Sequence, residues 1–340
     1  MRNACIDVLK ALASQVIVVH HLLLYTPISD VLQAQWPTLL GLLADEGRYV
    51  VQVFLVIGGY LAAQSLMRLL TPNTSTPLLN LVWKRFLRLA KPFWAAMACA
   101  VFFIWLAGRI AFDTETNTLP SLAQVLAHAS LTHDIVGVPA ISAGVWYVAI
   151  DLQLFLITLF LVQCARWAES RLGISATPLT VWGVVVLTVL ALFWWNRNPA
   201  IDEWGWYFMG SYGLGFMAHW ADKNGHRRWA TVAIALCLWV SLIIEWRERF
   251  LLTGFVVLLL LNHVHVSGFF KRLATRPVQW LSDVSYSVFL IHYGVAVLAS
   301  AVVIELNLQG LTSHVLAFAL TWAAGIAAGW LLHRGVESRA

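Results

Sequence analysis

The sequence predicts an all-α protein, a polytopic transmembrane helical bundle of about ten spans with both termini cytoplasmic. Three observations carry that prediction. Of 340 residues, 60% are hydrophobic and only 11% charged, with a mean hydropathy of +0.75; a soluble domain carries about 25% charged residues. The apolar residues come in runs of roughly 20, the length that crosses about 30 Å of hydrocarbon. Of the 22 Lys and Arg residues, 17 fall on one side of those runs and five on the other: Arg48, Arg109, Arg197, Arg247 and Arg249. That bias marks cytoplasmic loops and places the N-terminus inside. The same composition excludes a water-soluble globule, a disordered chain and a secreted disulfide scaffold.

Ten runs meet the length criterion, near 5–25, 49–70, 91–108, 144–165, 179–195, 204–220, 229–245, 250–266, 281–304 and 314–333. The first is longer than a signal-peptide core, contains Asp7 and Lys10, and ends in no small-residue cleavage site, so it reads as a mature helix. The seventh and eighth are split only by Glu245-Trp-Arg-Glu-Arg249, a tight turn or a re-entrant pair. The longest outer loop, 109–143, holds Asp113, Glu115, His128, His133 and Asp134; its part 119–131 has the pattern of an interfacial amphipathic helix. No repeat divides the chain, which reads as one integral-membrane domain over 1–340 with no appended soluble domain. Cys5, Cys99, Cys164 and Cys237 sit in apolar runs without metal-ligand spacing, predicting neither a disulfide nor a metal site.

In such a chain each ionisable residue inside a span is a functional candidate. On the first helix, Lys10 and His21 are about 20° apart in projection; Asp7 lies about 60° and Ser14 about 40° from Lys10. These four form one polar stripe, and His20 points elsewhere. The stripe lines a bundle interior, or else Asp7 and Lys10 snorkel to one interface while His21 and Tyr25 sit at the other. Between the second and third runs, Trp83-Lys-Arg-Phe-Leu-Arg88 presents Arg85 and Arg88 at i, i+3 on a short helix. Two guanidinium forks suit phosphate, although spacing alone favours an ordinary positive-inside cluster on anionic lipid. Asp151, in the fourth run beside Gln153, needs a cation or must titrate upward. His292 falls seven residues beyond Ser285 on one helix face and suits a helix–helix hydrogen bond. His263 and His265 read as interfacial, and Gly58-Gly59 as a close helix approach.

The order of these pieces resembles the membrane acyltransferase-3 family, polytopic proteins that O-acylate glycans and other extracytoplasmic acceptors from cytoplasmic acyl-CoA. The family's Arg-x10-His on the first helix matches Lys10 and His21. Its Phe-Phe-Val-Ile-Ser-Gly-Phe-Leu matches Phe54-Leu-Val-Ile-Gly-Gly-Tyr-Leu61, and its Arg-x-x-Arg matches Arg85 and Arg88. Its Trp-Ser-Leu-x-x-Glu-x-Gln-Phe-Tyr matches Trp146 through Phe155, followed by Ser285-Tyr-Ser-Val-Phe-Leu-Ile-His292. The departures are Lys10 for Arg, which keeps charge but loses the bidentate fork, Asp151 for Glu, and Tyr147 for Ser.

The resemblance implies an integral-membrane O-acyltransferase of the bacterial inner (plasma) membrane that moves an acyl group, acetyl in the simplest case, from acyl-CoA to a hydroxyl of a cell-surface or exported glycan. It implies His21 as the catalytic imidazole with Lys10, Asp7 and Asp151 in its service, and Arg85, Arg88, Ser14 and His292 contacting the substrates. No cofactor is held permanently; acetyl-CoA is the donor substrate, the bilayer and a hydroxyl-bearing acceptor are the partners, and nucleic acid is not. A transporter or flippase of a glycan or small anionic solute would also line its bundle with charge, but it predicts broken helices and related halves, and no such repeat is visible.

Overall fold

A computed structural model describes residues 2–71, 77–111 and 119–339. Every regular element among them is helical: α1 (Ala4–Tyr25), α2 (Asp30–Gln35), α3 (Pro37–Glu46), α4 (Val51–Leu66), α5 (Leu78–Ile110), α6 (Leu122–Ala129) and α7 (Trp146–Leu172). There follow α8 (Ala176–Phe193), α9 (Gly205–Lys223), α10 (Arg227–Ile244), α11 (Glu248–Leu261), α12 (His263–Leu273), α13 (Arg276–Glu305) and α14 (Leu311–Gly335), with short 3₁₀ turns at several joints. The all-α multi-pass architecture is therefore as the hydropathy predicts.

Eight of the described helical stretches are long and apolar enough to span, against ten expected. Both differences have a local cause. The eighth expected run is broken: α11 and α12 meet at a bend of 97°. At the sixth, α9 carries Tyr212, Ser211, His219 and several glycines, and falls short of the apolarity of a lipid-facing span. It does not need that apolarity, because α4, α8, α10 and α11 surround it and it is buried along nearly its whole length. A helix in contact with protein rather than lipid can hold polar side chains that its neighbours satisfy. Ser211 shows this, with its hydroxyl donating to Gln52 Oε1 at 2.6 Å and paired with the Thr253 hydroxyl at 2.8 Å.

A second correction concerns the segment between the second and third runs. From Leu78 onward it is helix, and α5 continues through Pro92 to Ile110 as one element of 33 residues. One missing N–H is a tolerable defect in a long membrane helix whose surroundings re-satisfy the freed carbonyl. The candidate arginines are thus on a long helix, not on a short separate one. In the outer loop, helix forms over Leu122–Ala129, shorter than the 119–131 stretch expected. A capping box starts it: Ser121 Oγ accepts from the Gln124 amide at 3.2 Å, and Gln124 Oε1 accepts from the Ser121 amide at 2.9 Å. Leu122 and Leu126 face outward and His128 inward. Asp113 and Glu115 lie outside the described residues.

The helices group into two compact units, each discontinuous in sequence. The first comprises Met1–Leu9, Val51–Arg85 and Val148–Thr275. Its centre is the α4–α9 contact, where a Cβ on Gly59 would collide with the Tyr212 carbonyl and one on Gly215 with the Val56 carbonyl. Glycine at both sites lets the two backbones touch, as the Gly58-Gly59 pair suggested. The second unit comprises Lys10–Val50, Phe86–Tyr147 and Arg276–Ala340. Here α13 and α14 pack along their length, and Gly329 admits the Val288 side chain. Val18 and Leu22 of α1 join Val284, Val288 and Ala296 of α13 in a closed apolar cluster.

Candidate active site

Each unit buries a polar pair contributed by distant parts of the chain. In the second unit, His21 of α1 and His292 of α13 are joined: His21 Nδ1 lies 2.7 Å from His292 Nε2. The rings are 10° from parallel with centroids 5.0 Å apart. With nitrogens so close and centroids so far, the rings meet edge to edge, as an N–H···N hydrogen bond requires. Behind this pair, His292 Nδ1 lies 2.8 Å from the Phe289 carbonyl and 3.2 Å from that of Val288. His21 Nε2 makes no hydrogen bond to the described residues.

Two glycines let other elements come up to this pair. Gly144 has φ +77, a left-handed conformation that glycine adopts without strain. Any Cβ there would lie 3.0 Å from the Phe289 ring and 3.1 Å from His21 Cε1. Gly325 of α14 faces the His292 backbone and Cβ. Tyr25 packs 5.6 Å from His21 and edge-on to Tyr293. His20 turns away, as the helical projection requires, with Nδ1 3.1 Å from the Leu43 carbonyl.

In the first unit the pair is ionic. Arg85 Nη2 donates to Asp151 Oδ2 at 2.5 Å, and the guanidinium lies 5.2 Å over the Phe155 ring. Asp151 and Phe155 share a face of α7 at i, i+4, so one helix supplies both a counter-ion and an aromatic platform. Gly58 completes the wall: a Cβ there would lie 3.4 Å from Asp151 Oδ1 and 3.5 Å from the Tyr212 ring. Asp151 thus finds the cation that a buried carboxylate needs.

These sites lie within a chain whose residues 3–334 match a family model described as an acyltransferase domain, acyltransferase-3. The chain belongs to the acyltransferase-3 family. No curated protein and no solved structure matches it. It is accordingly an integral, multi-pass membrane acyltransferase.

The acyltransferase's remaining candidate residues divide between the two units. Asp7 is in the first, paired with Arg2 Nε at 2.6 Å near the start of α1, where Asn3 Oδ1 caps the Cys5 amide at 3.0 Å. Lys10 and Ser14 belong to the second. Lys10 is half-buried. The Ser14 hydroxyl donates to the Ala11 carbonyl at 2.9 Å and accepts from Gln15 Nε2, so its donor is spent within its own helix. Arg85 and Arg88 are not equivalent. Arg85 is turned inward to Asp151, whereas Arg88 is exposed and shares a face of α5 with the exposed Lys84 and Lys91, at i−4 and i+3.

Three participants escaped the sequence reading. Gly144 carried no signal beyond being one of 21 glycines. Phe155 closes the motif that begins at Trp146, and its i+4 spacing from Asp151 puts it on the same helix face. Tyr212 sits in Gly210-Ser-Tyr-Gly-Leu-Gly215, a small-residue stretch whose density marks close helix packing.

Proposed function

We propose that this acyltransferase moves an acyl group, acetyl in the simplest case, from acyl-CoA to a hydroxyl of an exported or cell-surface glycan, across a bacterial inner membrane. The observation that supports this best is His21: an imidazole braced through one nitrogen, with the other making no bond to the described residues. Such a group is a general base for an attacking hydroxyl. The acceptor O–H gives its proton to His21 Nε2 while its oxygen bonds to the thioester carbonyl carbon. Collapse of the tetrahedral intermediate breaks the C–S bond. The departing thiolate takes the proton back from the imidazolium, so the products are an O-ester and free CoA thiol, with His21 neutral again.

On this reading the donor's phosphates are held at the cytoplasmic side by Arg88 with Lys84 and Lys91, an exposed cationic face suited to a polyanion. Arg85 is the fixed member, its geometry set by Asp151 and Phe155. Lys10, about 4.5 Å along α1 from Asp7 and about 16 Å from His21, serves the donor's path rather than proton transfer, and Asp7 and Ser14 shape the inner half of that helix. No permanently bound cofactor enters the scheme.

The test is transfer of label. Purified protein in liposomes, given acetyl-CoA labelled in the acetyl group and glycan extracted from the producing cells, is expected to place label on the glycan as an alkali-labile ester. His21→Ala should abolish transfer while the variant still inserts and unfolds cooperatively, at a modestly lower temperature. Undiminished transfer by that variant would refute the assignment of His21. Solute uptake without any label transfer would restore the transporter reading.

A further inference from the structure

We propose that His292 is a positioning residue that fixes the tautomer of His21 and so leaves its Nε2 as the proton-accepting nitrogen. This rests on the reading of His21 as the base, and it assigns His292 a role other than substrate contact.

The protons along one line of atoms can be assigned in turn. The carbonyls of Phe289 and Val288 can only accept, so His292 Nδ1, at 2.8 and 3.2 Å from them, must carry the hydrogen. A neutral His292 then has a lone pair on Nε2. That lone pair lies 2.7 Å from His21 Nδ1, which must therefore be the donor. A neutral His21 with its hydrogen on Nδ1 has its lone pair on Nε2. Two backbone carbonyls one turn behind α13's own histidine thus dictate, through two rings, which nitrogen of His21 is basic. The helix supplies the reference: i−3 and i−4 carbonyls are where a histidine on a helix finds them, so the register is set locally and transmitted over 271 residues of chain.

The arrangement also holds during the reaction. When His21 Nε2 takes the acceptor's proton, Nδ1 keeps its hydrogen and its bond to His292, so nothing must reorient between base and acid steps. The partner is neutral, unlike the carboxylate that orients the histidine of a serine hydrolase. The other titratable groups against the pair are His20 and Tyr25 on α1, with Tyr293 of α13 packed on Tyr25; the ring contacts from the Gly144 segment and α14 come from Tyr147 on Phe289 and the bare backbone of Gly325.

Three replacements separate positioning from packing. His292→Phe fills the space and removes the acceptor; His292→Gln keeps an acceptor near the Nε2 position; His292→Glu keeps it and adds a negative charge. Loss of tautomer control should lower kcat of His292→Phe by about 1,000-fold with KM for the donor little changed. His292→Gln should recover most of that loss. His292→Glu should move the acid limb of the kcat profile to higher pH, because a carboxylate stabilises the imidazolium. If packing were the role, Phe would be the mildest change and Glu the worst. Parental kcat and pH profile in His292→Phe, or equal inactivity of folded His292→Phe and His292→Gln, would overturn the proposal. His21→Ala is assayed alongside: activity there defeats the reading of His21 itself, whereas an inactive His21→Ala beside a fully active His292→Phe defeats only the assignment of His292.

Discussion

The two units solve the same problem differently. Each must place polar side chains in an apolar interior, where an unpaired charge or donor is costly. The first unit uses opposite charges, Arg85 and Asp151, closed over by Phe155 and Gly58. The second uses two imidazoles backed by helix carbonyls. An ion pair must remain intact, because removing one partner strands a full charge; it is suited to holding a helix, or a guanidinium, in place. A neutral histidine pair buries no charge at rest and still presents a lone pair to an incoming proton. The contrast separates structure from chemistry on the proposed mechanism: the charged residues attract attention in the sequence, but the uncharged pair is the one proposed to take the proton.

That contrast is broken most severely by attacking the ionic pair. Asp151→Ala leaves the Arg85 guanidinium without its carboxylate, and loss of one partner from a buried pair costs about 3–5 kcal/mol. A drop of many degrees in thermal unfolding in detergent, with low yield from the membrane, is the expected outcome. Replacing both partners by apolar residues of similar volume, Arg85→Met with Asp151→Leu, should restore much of the unfolding temperature. If Asp151→Ala unfolds like the parent, the pair has no structural role and the distinction between the units fails. His21→Ala, which strands only the neutral His292 Nε2, should lower the unfolding temperature less than Asp151→Ala does and remove transfer.

A milder perturbation tests the neutral pair from its flank. Gly144→Ala forces a Cβ into a left-handed backbone and against the Phe289 ring and His21 Cε1. The backbone term alone is about 1–2 kcal/mol, visible as a modest fall in unfolding temperature. The larger signal should be in kcat, because the added methyl pushes on the ring proposed to meet the substrate. An unaffected kcat with a lowered unfolding temperature would show that the Gly144 segment supports the fold without positioning His21.

Much of this was legible from the sequence, and the reasons for the remainder are physical. Hydropathy finds spans because lipid tolerates no exposed polar backbone, so it located the lipid-facing helices; α9, over the sixth expected run, is less apolar because its surroundings are protein. The need of Asp151 for a cation followed from the cost of a buried charge, but nothing local to α7 named Arg85, 66 residues away. Spacing placed Arg85 and Arg88 on one helix without telling which would turn inward, since that depends on what packs against α5. His21 and His292 were each singled out, yet their junction spans most of the chain. No pattern on either helix encodes it.

The finest distinction is between the His21–His292 pair and a second neutral pair in the same unit. His128 and His133, in the outer loop, stack face to face with centroids 4.2 Å apart beside Phe93. His128 is fully used: Nδ1 donates to the Gln124 carbonyl at 2.7 Å, and Nε2 accepts the Ile141 amide at 3.1 Å. His133 is buried with neither nitrogen hydrogen-bonded, although the Asp134 carboxylate lies 3.3 Å from its Nε2. Burial pushes the His133 imidazole down to about 4 and holds His128 below its ordinary value as well. As pH falls below about 6.5 the unfolded chain takes up protons that folded His133 refuses, so stability declines until pH reaches about 4 and levels off below it. The slope from this one group approaches about 1.4 kcal/mol per pH unit. His133→Phe keeps the stack, removes two unpaired polar atoms and should flatten that slope, with stability at neutral pH unchanged or raised by up to about 1 kcal/mol. Unfolding temperatures of parent and variant between pH 7.5 and 4.5 should therefore diverge as the pH falls, while label transfer at neutral pH stays equal. Parallel curves would mean that His133 charges as readily as a histidine in water. A loss of transfer would mean that this pair, and not His21 and His292 alone, takes part in the chemistry.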